Sequence, residues 1–515
     1  MLLKSFWRKD EFRWWLLPVC ALHFFPFITE NYSAVMYVLI YGIPAVYLLA
    51  NVKFLIKTAA DVLSSRYCVV PLGLAFVGLM SLALPSIYCT GDLTYFTMAF
   101  MTMVKIALRM LFLYVLIKKT VPAADTQTYA KYFILSCCLY FCSTAVLVAL
   151  PAARDFIMDF VKQTPEARYS AKDPNYVTRC GWAGFSGFEY TFKFVLGLIF
   201  NISLIEDELG EEKINITKFL PAVVLLAGTV CYGRVGTLFA VLLLVYVFVL
   251  LVRKKRKLFF WSFGIIAGVM VLLSVLQLFI PALHTWFNWA LEPFIAFFKT
   301  GKLSVGSFYV LKENMLFMPD FKTVLVGDGR YTDGARYYQH TDSGLMRPLL
   351  FGGFIFALVR CLSLYVPLVA DTMKKEDRKS ERAVSLWVLL CCLFFELKGE
   401  IVFSCLPVML ILWLSRASAE SGEQTLDLKR DALFICKKWW IAAAGTAAGC
   451  AVCAVPALIC GTDAVVLKAA CGAVCGLVAA VAVLFCLAEK EPLAEGIKQF
   501  RLSFAFLSRN KNLAG

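Results

Sequence analysis

The sequence predicts an all-α polytopic membrane protein with about fourteen transmembrane helices, each of about 20 residues. Composition is the first reason, because 60% of the 515 residues are hydrophobic and only 17% are charged. Soluble domains are nearer one half apolar and roughly one quarter charged. The second reason is that apolar stretches long enough to cross a bilayer recur along the chain. They leave no room for a soluble domain beyond the loops.

The distribution of basic residues predicts the orientation. The chain begins with a basic segment, Met1 to Asp10, and no small-residue cleavage site follows its first apolar stretch, so we expect an uncleaved first helix. Fourteen helices place both termini on one side. The loops of that side, including Arg253 to Lys257, carry roughly twice as many lysines and arginines as the other side, which predicts cytoplasmic termini. The formal net charge of +15 is therefore a topology signal, and we expect no nucleic-acid partner.

Two long loops fall on the predicted outer side, at 151–187 and 284–343. Loops of this length are usually functional, and amphipathic stretches such as Trp286 to Phe298 predict short helices at the membrane interface. These loops belong to a transmembrane core over 1–415. The remaining predicted regions are a cytoplasmic linker at 416–438, a transmembrane hairpin at 439–488 and a cytoplasmic tail at 489–515.

The nineteen cysteines do not indicate a disulfide scaffold. Most of them lie within apolar runs, where cysteine acts as a small hydrophobic residue. None has metal-ligand spacing with a histidine. Cys180 and Cys231 lie near the predicted outer surface, where a bridge between them is an open alternative.

Four polar motifs mark the predicted outer ends of helices. They are Thr178-Arg-Cys-Gly-Trp-Ala-Gly-Phe-Ser-Gly187, Tyr232-Gly-Arg-Val-Gly-Thr237, the run from Gly327 to Gly353, and Phe395-Glu-Leu-Lys-Gly-Glu400. Charge this close to a bilayer costs several kcal/mol per group unless it lines a cavity, so such motifs indicate function.

Arg179 and Arg234 are the main candidates for binding an anionic lipid head group, most naturally a diphosphate. The planar guanidinium group binds two phosphate oxygens at once and stays charged at low dielectric. Neighbouring glycines allow close backbone approach, and a helix N-terminus adds partial positive charge. Arg336, Arg347 and Lys398 are further candidates. The alternative is that each cation extends to the interface or pairs with a structural acid.

His340 and Asp342 are the candidates for a general base, because histidine titrates near neutral pH and a carboxylate can accept a proton. A single histidine can equally be a structural hydrogen-bonding residue. Asp342 can equally be the N-cap of the helix predicted to start near Ser343.

Lys105 and Arg109 lie one turn apart within a predicted transmembrane helix and share one of its faces. We expect them to pair with an acid, for which Glu396 and Glu189 are candidates, or to line the path of a lipid-linked anion.

Several motifs of nucleotide and metal enzymes do not occur in the sequence. It has no Walker loop, no dinucleotide fingerprint and no HExxH. No carboxylate cluster suggests a metal-bound sugar nucleotide. We therefore expect no cofactor and no metal, and a group transfer would draw on an activated, lipid-linked donor.

The order of these motifs resembles the Wzy-type polymerases of O-antigen and capsular polysaccharide, relatives of the O-antigen ligases. The most telling part is Thr341-Asp-Ser-Gly-Leu-Met-Arg347 with Gly352-Gly353 downstream. The resemblance covers roughly residues 30 to 415. It implies a GT-C-type membrane glycosyltransferase, with long loops in the periplasm, in the bacterial inner membrane.

The resemblance also implies the reaction and the partners. Such an enzyme joins a glycan carried on undecaprenyl diphosphate to a new lipid-linked repeat unit, without metal or nucleotide sugar, among membrane lipids and with a chain-length regulator. Arg179 and Arg234 would bind the donor diphosphate, and His340 or Asp342 would act on the acceptor hydroxyl. The alternatives are a ligase that transfers glycan to lipid A core and a flippase of lipid-linked oligosaccharide.

Overall fold

The computed structural model describes residues 12–421, except 66–89, 91, 186, 210–218, 280–283, 286–287, 289–290, 302–308, 310, 335 and 374–378. Helices dominate this part of the chain, and six of them are long and apolar enough to cross a membrane. The protein is therefore a helical membrane protein, as predicted. The predicted hairpin at 439–488 and the tail at 489–515 lie outside the described residues.

The chain divides into two compact units. The first comprises Met1–Pro44 and Leu116–Tyr309, and the second comprises Ala45–Val115 and Val310–Gly515. Two helices, α2 (Ser33–Ala50) and α4 (Thr94–Thr120), contribute residues to both.

The first unit is built from helices and one small hairpin. Its elements are α1 (Leu16–Phe24), α5 (Thr126–Ala149), α6 (Pro151–Phe160), α7 (Pro165–Ser170), a 3₁₀ helix (Pro174–Arg179), β1 (Cys180–Gly181), β2 (Gly184–Phe185), α8 (Phe188–Glu208), α9 (Leu220–Tyr232), α10 (Arg234–Lys254), α11 (Arg256–Leu276) and α12 (Glu292–Thr300).

Helices α5, α8 and α9 pack against one another, α1 packs on α5, and α10 packs on α8 and α9. Glycine allows the closest of these approaches. A Cβ atom at Gly228 of α9 would come within 2.3 Å of the Phe194 ring of α8. The interface is thus set by a small residue, as is usual between membrane helices.

The second unit contains helices, short helical turns and one small hairpin. In chain order, its elements are α3 (Val52–Ser64), a π-helical turn (Leu311–Met315), α13 (Phe321–Val326), β3 (Thr332–Asp333), β4 (Arg336–Tyr337), a 3₁₀ turn (Tyr338–His340), α14 (Met346–Met373), α15 (Lys379–Glu396) and α16 (Val402–Ser421). Helix α14 packs on α13 and α15, and α16 packs on α3. Because α16 continues to Ser421, the first residues of the predicted 416–438 linker are helical.

Both long loops of the prediction contain short regular elements. The segment 151–187 folds into α6, α7, the 3₁₀ helix and the β1–β2 hairpin. The segment 284–343 contains α12, α13 and the β3–β4 hairpin, and α12 covers the second half of the expected amphipathic helix. Cys180 and Cys231 are free thiols, so the open alternative of a bridge between them is wrong.

Candidate functional site

In the β1–β2 hairpin of the first unit, Gly181 and Trp182 have packing roles. A Cβ atom at Gly181 would come within 2.5 Å of the Tyr140 ring. The backbone N–H of Trp182 donates to Ser143 Oγ at 3.2 Å, and its indole Nε1 donates to the carbonyl of Phe25 at 3.1 Å. These contacts fix the hairpin against α1 and α5. They also fix the position of Arg179, the residue just before it.

The segments that carry Arg179 and Arg234 meet in the first unit. Arg179 ends the 3₁₀ helix and Arg234 begins α10. The Thr178 hydroxyl donates to the Cys231 carbonyl at 3.0 Å, which ties the two segments. Burial lowers the pKa of Arg179 to about 10; Tyr176 acts in the opposite direction, and the charge of Arg234 lowers it further. The fold thus holds two like charges near one another.

Each of these arginines also has a described contact of its own. The guanidinium carbon of Arg179 lies 4.5 Å from the centre of the Tyr176 ring. Nη1 of Arg234 lies 2.5 Å from Oε2 of Glu292, the first residue of α12. The side chains of Arg234 and Glu292 keep 20% and 35% of their surface exposed. Solvent therefore reaches this ion pair, and a competing anion can do so too.

The acids considered for Lys105 and Arg109 have other described partners. Glu189 pairs with the buried Lys193 at 2.7 Å, and Glu396 pairs with Arg360 at 2.8 Å. Arg109 Nε donates to the backbone carbonyl of Lys105 at 3.2 Å.

Four buried charges form an ionic network in the second unit. Arg360 of α14 contacts Glu396 at 2.8 Å and Glu400 at 2.9 Å, and Nη2 of Arg347 lies 3.4 Å from Glu400. All four side chains are at least nine-tenths buried. Two positive and two negative charges balance, which reduces the large penalty that isolated buried charges would carry.

Two tyrosines complete this network. The hydroxyl groups of Tyr95 and Tyr331 both donate to the Glu400 carboxylate, and their rings stack with centroids 3.5 Å apart. The Arg347 guanidinium group lies between two rings, 4.4 Å from the centre of Tyr331 and 3.5 Å from that of Tyr337. Arg347 is therefore held by contacts on several sides.

The polar run that starts at Gly327 is hydrogen-bonded to α14 at a break in that helix. Gly353 interrupts the helix with φ 75° and ψ −175°. Two carbonyl groups before the break, those of Leu350 and Phe351, accept hydrogen bonds from the N–H groups of Asp328 at 2.7 Å and Gly329 at 2.9 Å. The Gly352-Gly353 pair of the sequence motif thus lies where the run joins α14.

His340 adopts a backbone conformation that is unusual for its residue type. Gln339 and His340 have φ values of 58° and 54°, in the left-handed region that costs a non-glycine residue of order 1–3 kcal/mol. On the next residue, the Thr341 hydroxyl donates to the Met315 carbonyl at 2.8 Å. Such strain persists only where the surroundings enforce it, and it occurs often at functional sites.

The other predicted residues of this run differ in exposure. Arg336, His340 and Asp342 are exposed, Lys398 is half-buried, and Arg347 is buried. Partial desolvation by the surrounding loop raises the pKa of Asp342, and the charge of Lys398 acts in the opposite direction.

Ser343 takes the capping contacts at the start of α14. Its hydroxyl accepts from the N–H groups of Leu345 and Met346, each at 3.4 Å. The structure thus favours Ser343 over the alternative of Asp342 as N-cap.

Sequence reasoning missed several residues that build these two sites: Tyr95, Glu292, Tyr331, Arg360 and Glu400. Arg360 carried a usable signal, because a charge within an apolar helix indicates a buried partner. Glu400 ends the motif Phe395-Glu-Leu-Lys-Gly-Glu400, in which only Lys398 was considered a candidate. The two tyrosines had no local signal. Within the described residues, no group of three or more His, Cys, Asp or Glu side chains is arranged to hold a metal ion.

The candidate residues thus fall in two local sites. Arg179 and Arg234 belong to the first unit, and Arg336, His340, Asp342, Arg347 and Lys398 belong to the second. No protein-family model matches the chain, and neither a curated protein nor a solved structure matches it.

Proposed function

We propose that this protein is a glycosyltransferase of the bacterial inner membrane that polymerises oligosaccharide repeat units carried on undecaprenyl diphosphate. The observation that carries the proposal is the pair Arg179 and Arg234, which two separate segments bring together in the first unit. Arg234 also keeps a partly exposed pair with Glu292, and a diphosphate that replaced this acid would place negative charge against both arginines. The guanidinium group also matches phosphate oxygens in shape.

The proposed reaction transfers the growing glycan from its carrier to a new repeat unit. An acceptor hydroxyl oxygen bonds to the anomeric carbon of the donor sugar, and the bond from that carbon to the phosphate oxygen breaks. The electron pair leaves with undecaprenyl diphosphate, and the hydroxyl proton goes to a base. Arginines stabilise the negative charge that develops on the departing diphosphate.

Asp342 and His340 are the residues to which we assign the base. Both are exposed, and the raised pKa of Asp342 makes its carboxylate a stronger proton acceptor than an ordinary aspartate. His340 lies in the strained part of the run. Arg336 lies on the β3–β4 hairpin of the same run, where it is exposed and remains available to an anion. Arg347 is already held by Glu400 and two tyrosines, which favours an anchoring role for it.

The test is the length of glycan chains made by Arg234→Ala in a strain that lacks the native copy. We expect long chains to be lost while the amount of protein in the membrane stays unchanged. Arg168→Ala is the matched control, because Arg168 is an arginine of the same unit in an exposed ion pair with Glu30 at 2.9 Å. A normal chain-length ladder for Arg234→Ala would refute the proposal.

The deletion strain separates the proposal from its two rivals. Single repeats attached to the final acceptor indicate a missing polymerase. Glycan that is polymerised but wholly unattached indicates a missing ligase. Repeat units that accumulate on the cytoplasmic face indicate a missing flippase. The second and third results would both overturn the proposed activity.

A further inference from the structure

Glu400 is a buried acid of the second unit, with a side chain only 4% exposed. Oε1 accepts from the Tyr95 hydroxyl at 2.9 Å and faces Nη2 of Arg360 at 2.9 Å. Oε2 accepts from the Tyr331 hydroxyl and lies 3.4 Å from Nη2 of Arg347. Donors surround both oxygens and the side chain is almost fully buried, so Glu400 is placed to hold its neighbours and not to contact a substrate hydroxyl.

The contacts of Glu400 continue into the segment that carries His340. The first path runs through Tyr331, since its backbone carbonyl accepts from the N–H of Tyr338 at 3.1 Å. The second path runs through Arg347, since its guanidinium carbon lies 3.5 Å from the centre of the Tyr337 ring. Both paths end at the residues just before Gln339 and His340.

The strained pair at Gln339 and His340 is therefore fixed at both ends. On one side, Tyr337 and Tyr338 are tied to the partners of Glu400. On the other side, Thr341 is tied to the Met315 carbonyl. A left-handed pair of non-glycine residues relaxes when either end is released. The backbone around His340 is thus linked to Glu400 through Tyr331 and Arg347.

We propose that Glu400 is the positioning residue of the reaction: it holds Tyr331 and Arg347, and through them it fixes the run 327–343 so that His340 and Asp342 face the acceptor. This inference rests on the proposed function for its chemical meaning. Glu396 has a different role, because it binds Arg360 and the N–H of Ile401 at 3.3 Å and so holds the turn between α15 and α16.

The first measurement is hydrogen–deuterium exchange on the full-length purified protein. In Glu400→Gln, backbone amides of 329–343 are expected to exchange faster by on the order of tenfold or more, the factor that a lost charge-assisted hydrogen bond carries. Amides of α5, in the first unit, should keep their rates. Tyr331→Phe is a milder second variant for the case in which Glu400→Gln does not fold.

A matched control removes a similar contact elsewhere. The Tyr246 hydroxyl donates to Glu206 at 3.1 Å in the first unit. Tyr246→Phe therefore loses a tyrosine–glutamate hydrogen bond of the same kind, and the exchange of 329–343 should not change.

The second measurement is a double-mutant cycle on glycan chain length. If Glu400 acts through the base, then Glu400→Gln shortens chains in the wild-type background and shortens them no further in the background, His340→Ala or Asp342→Ala, that lacks the base. A residue that only supports the fold would reduce the product by the same factor in both backgrounds, and that outcome would overturn the positioning role.

The two measurements separate failure of the inference from failure of the proposed function. Unchanged exchange of 329–343 in both Glu400→Gln and Tyr331→Phe overturns the inference, whatever the glycan shows. Faster exchange with normal chains in Glu400→Gln, while Arg234→Ala loses its long chains, overturns the positioning role and leaves the proposed function in place. Faster exchange with normal chains in both Glu400→Gln and Arg234→Ala overturns the proposed function and supports only the anchoring of the run.

Discussion

Gly353→Ala tests whether the break in α14 requires a glycine. Gly353 has φ 75° and ψ −175°, a combination that is essentially restricted to glycine. An added Cβ atom would lie 2.4 Å from the carbonyl oxygen of Leu325 and 2.7 Å from the backbone nitrogen of Val326. Backbone atoms cannot rotate out of the way as a side chain can, so the end of α13 would have to move.

The expected loss of stability has two parts. The disfavoured backbone conformation costs about 1–3 kcal/mol, and forcing a methyl group into an occupied space costs about 1–3 kcal/mol more. The sum of about 2–6 kcal/mol is a large fraction of the roughly 5–15 kcal/mol by which folded proteins are usually stable. We therefore expect Gly353→Ala to lower both the melting temperature and the amount of folded protein.

The assay is thermal unfolding of the full-length protein in detergent, with Gly264→Ala as the control. Gly264 lies within α11, and among the described residues no atom other than the backbone of its own helix lies within 4 Å of an added Cβ. Alanine should be neutral or stabilising there by up to about 1 kcal/mol, because it favours helix more than glycine does. A melting temperature for Gly353→Ala equal to that of the wild type would refute the argument from backbone geometry.

Three other changes probe the two sites. Glu292→Gln removes the acid that faces Arg234. The purified protein should therefore bind inorganic diphosphate about 2–5 times more tightly, the range expected for a partly exposed ion pair. Weaker binding would contradict the idea that Glu292 and a diphosphate compete for Arg234. Arg360→Met leaves two buried acids with one fewer cation and should cost about 3–5 kcal/mol in the free energy of unfolding, whereas a change under about 1 kcal/mol would show that the network is not buried as described. Lys398→Met removes the charge that opposes the raised pKa of Asp342. If Asp342 is the base, activity falls as pH drops through that pKa, and the acidic limb of the pH profile should move to higher pH in Lys398→Met; a limb that stays in place or moves to lower pH would exclude Asp342.

The membrane class of the fold could be predicted from composition alone, because apolar length is a local property of the sequence. For Arg179 and Arg234 the sequence predicted a common side of the membrane, but not the hydrogen bond between Thr178 and Cys231 that ties their segments. Partners that lie far apart in the chain were not predictable. Tyr95 and Glu400 are separated by 305 positions, and nothing in the residues around either one indicates the other.

The internal structure of the long loops was underestimated for a related reason. Elements such as α13, of six residues, are too short to produce a clear period in the sequence. Their positions come from single contacts, for example the hydrogen bonds from Asp328 and Gly329 to the broken end of α14. A sequence can mark such a place with paired glycines, as at Gly352 and Gly353, but it does not show which segment approaches them.

The arginines show most clearly what a sequence motif leaves open. Arg234 and Arg347 both stand beside glycines or helix starts in polar motifs, and both were candidates for binding diphosphate. Arg347 keeps 9% of its side chain exposed and has an acid, a hydroxyl group and two rings around it. To bind a ligand it would have to leave two buried acids, Glu396 and Glu400, sharing the single cation Arg360, which is strongly unfavourable. Arg234 has a partly exposed pair with Glu292, and an exchange of one anion for another there leaves behind an acid that solvent still reaches. The physical distinction between an anchoring and a binding arginine is therefore the exposure of the acid that faces it, and on that measure Arg234 fits the proposed diphosphate-binding role better than Arg347 does.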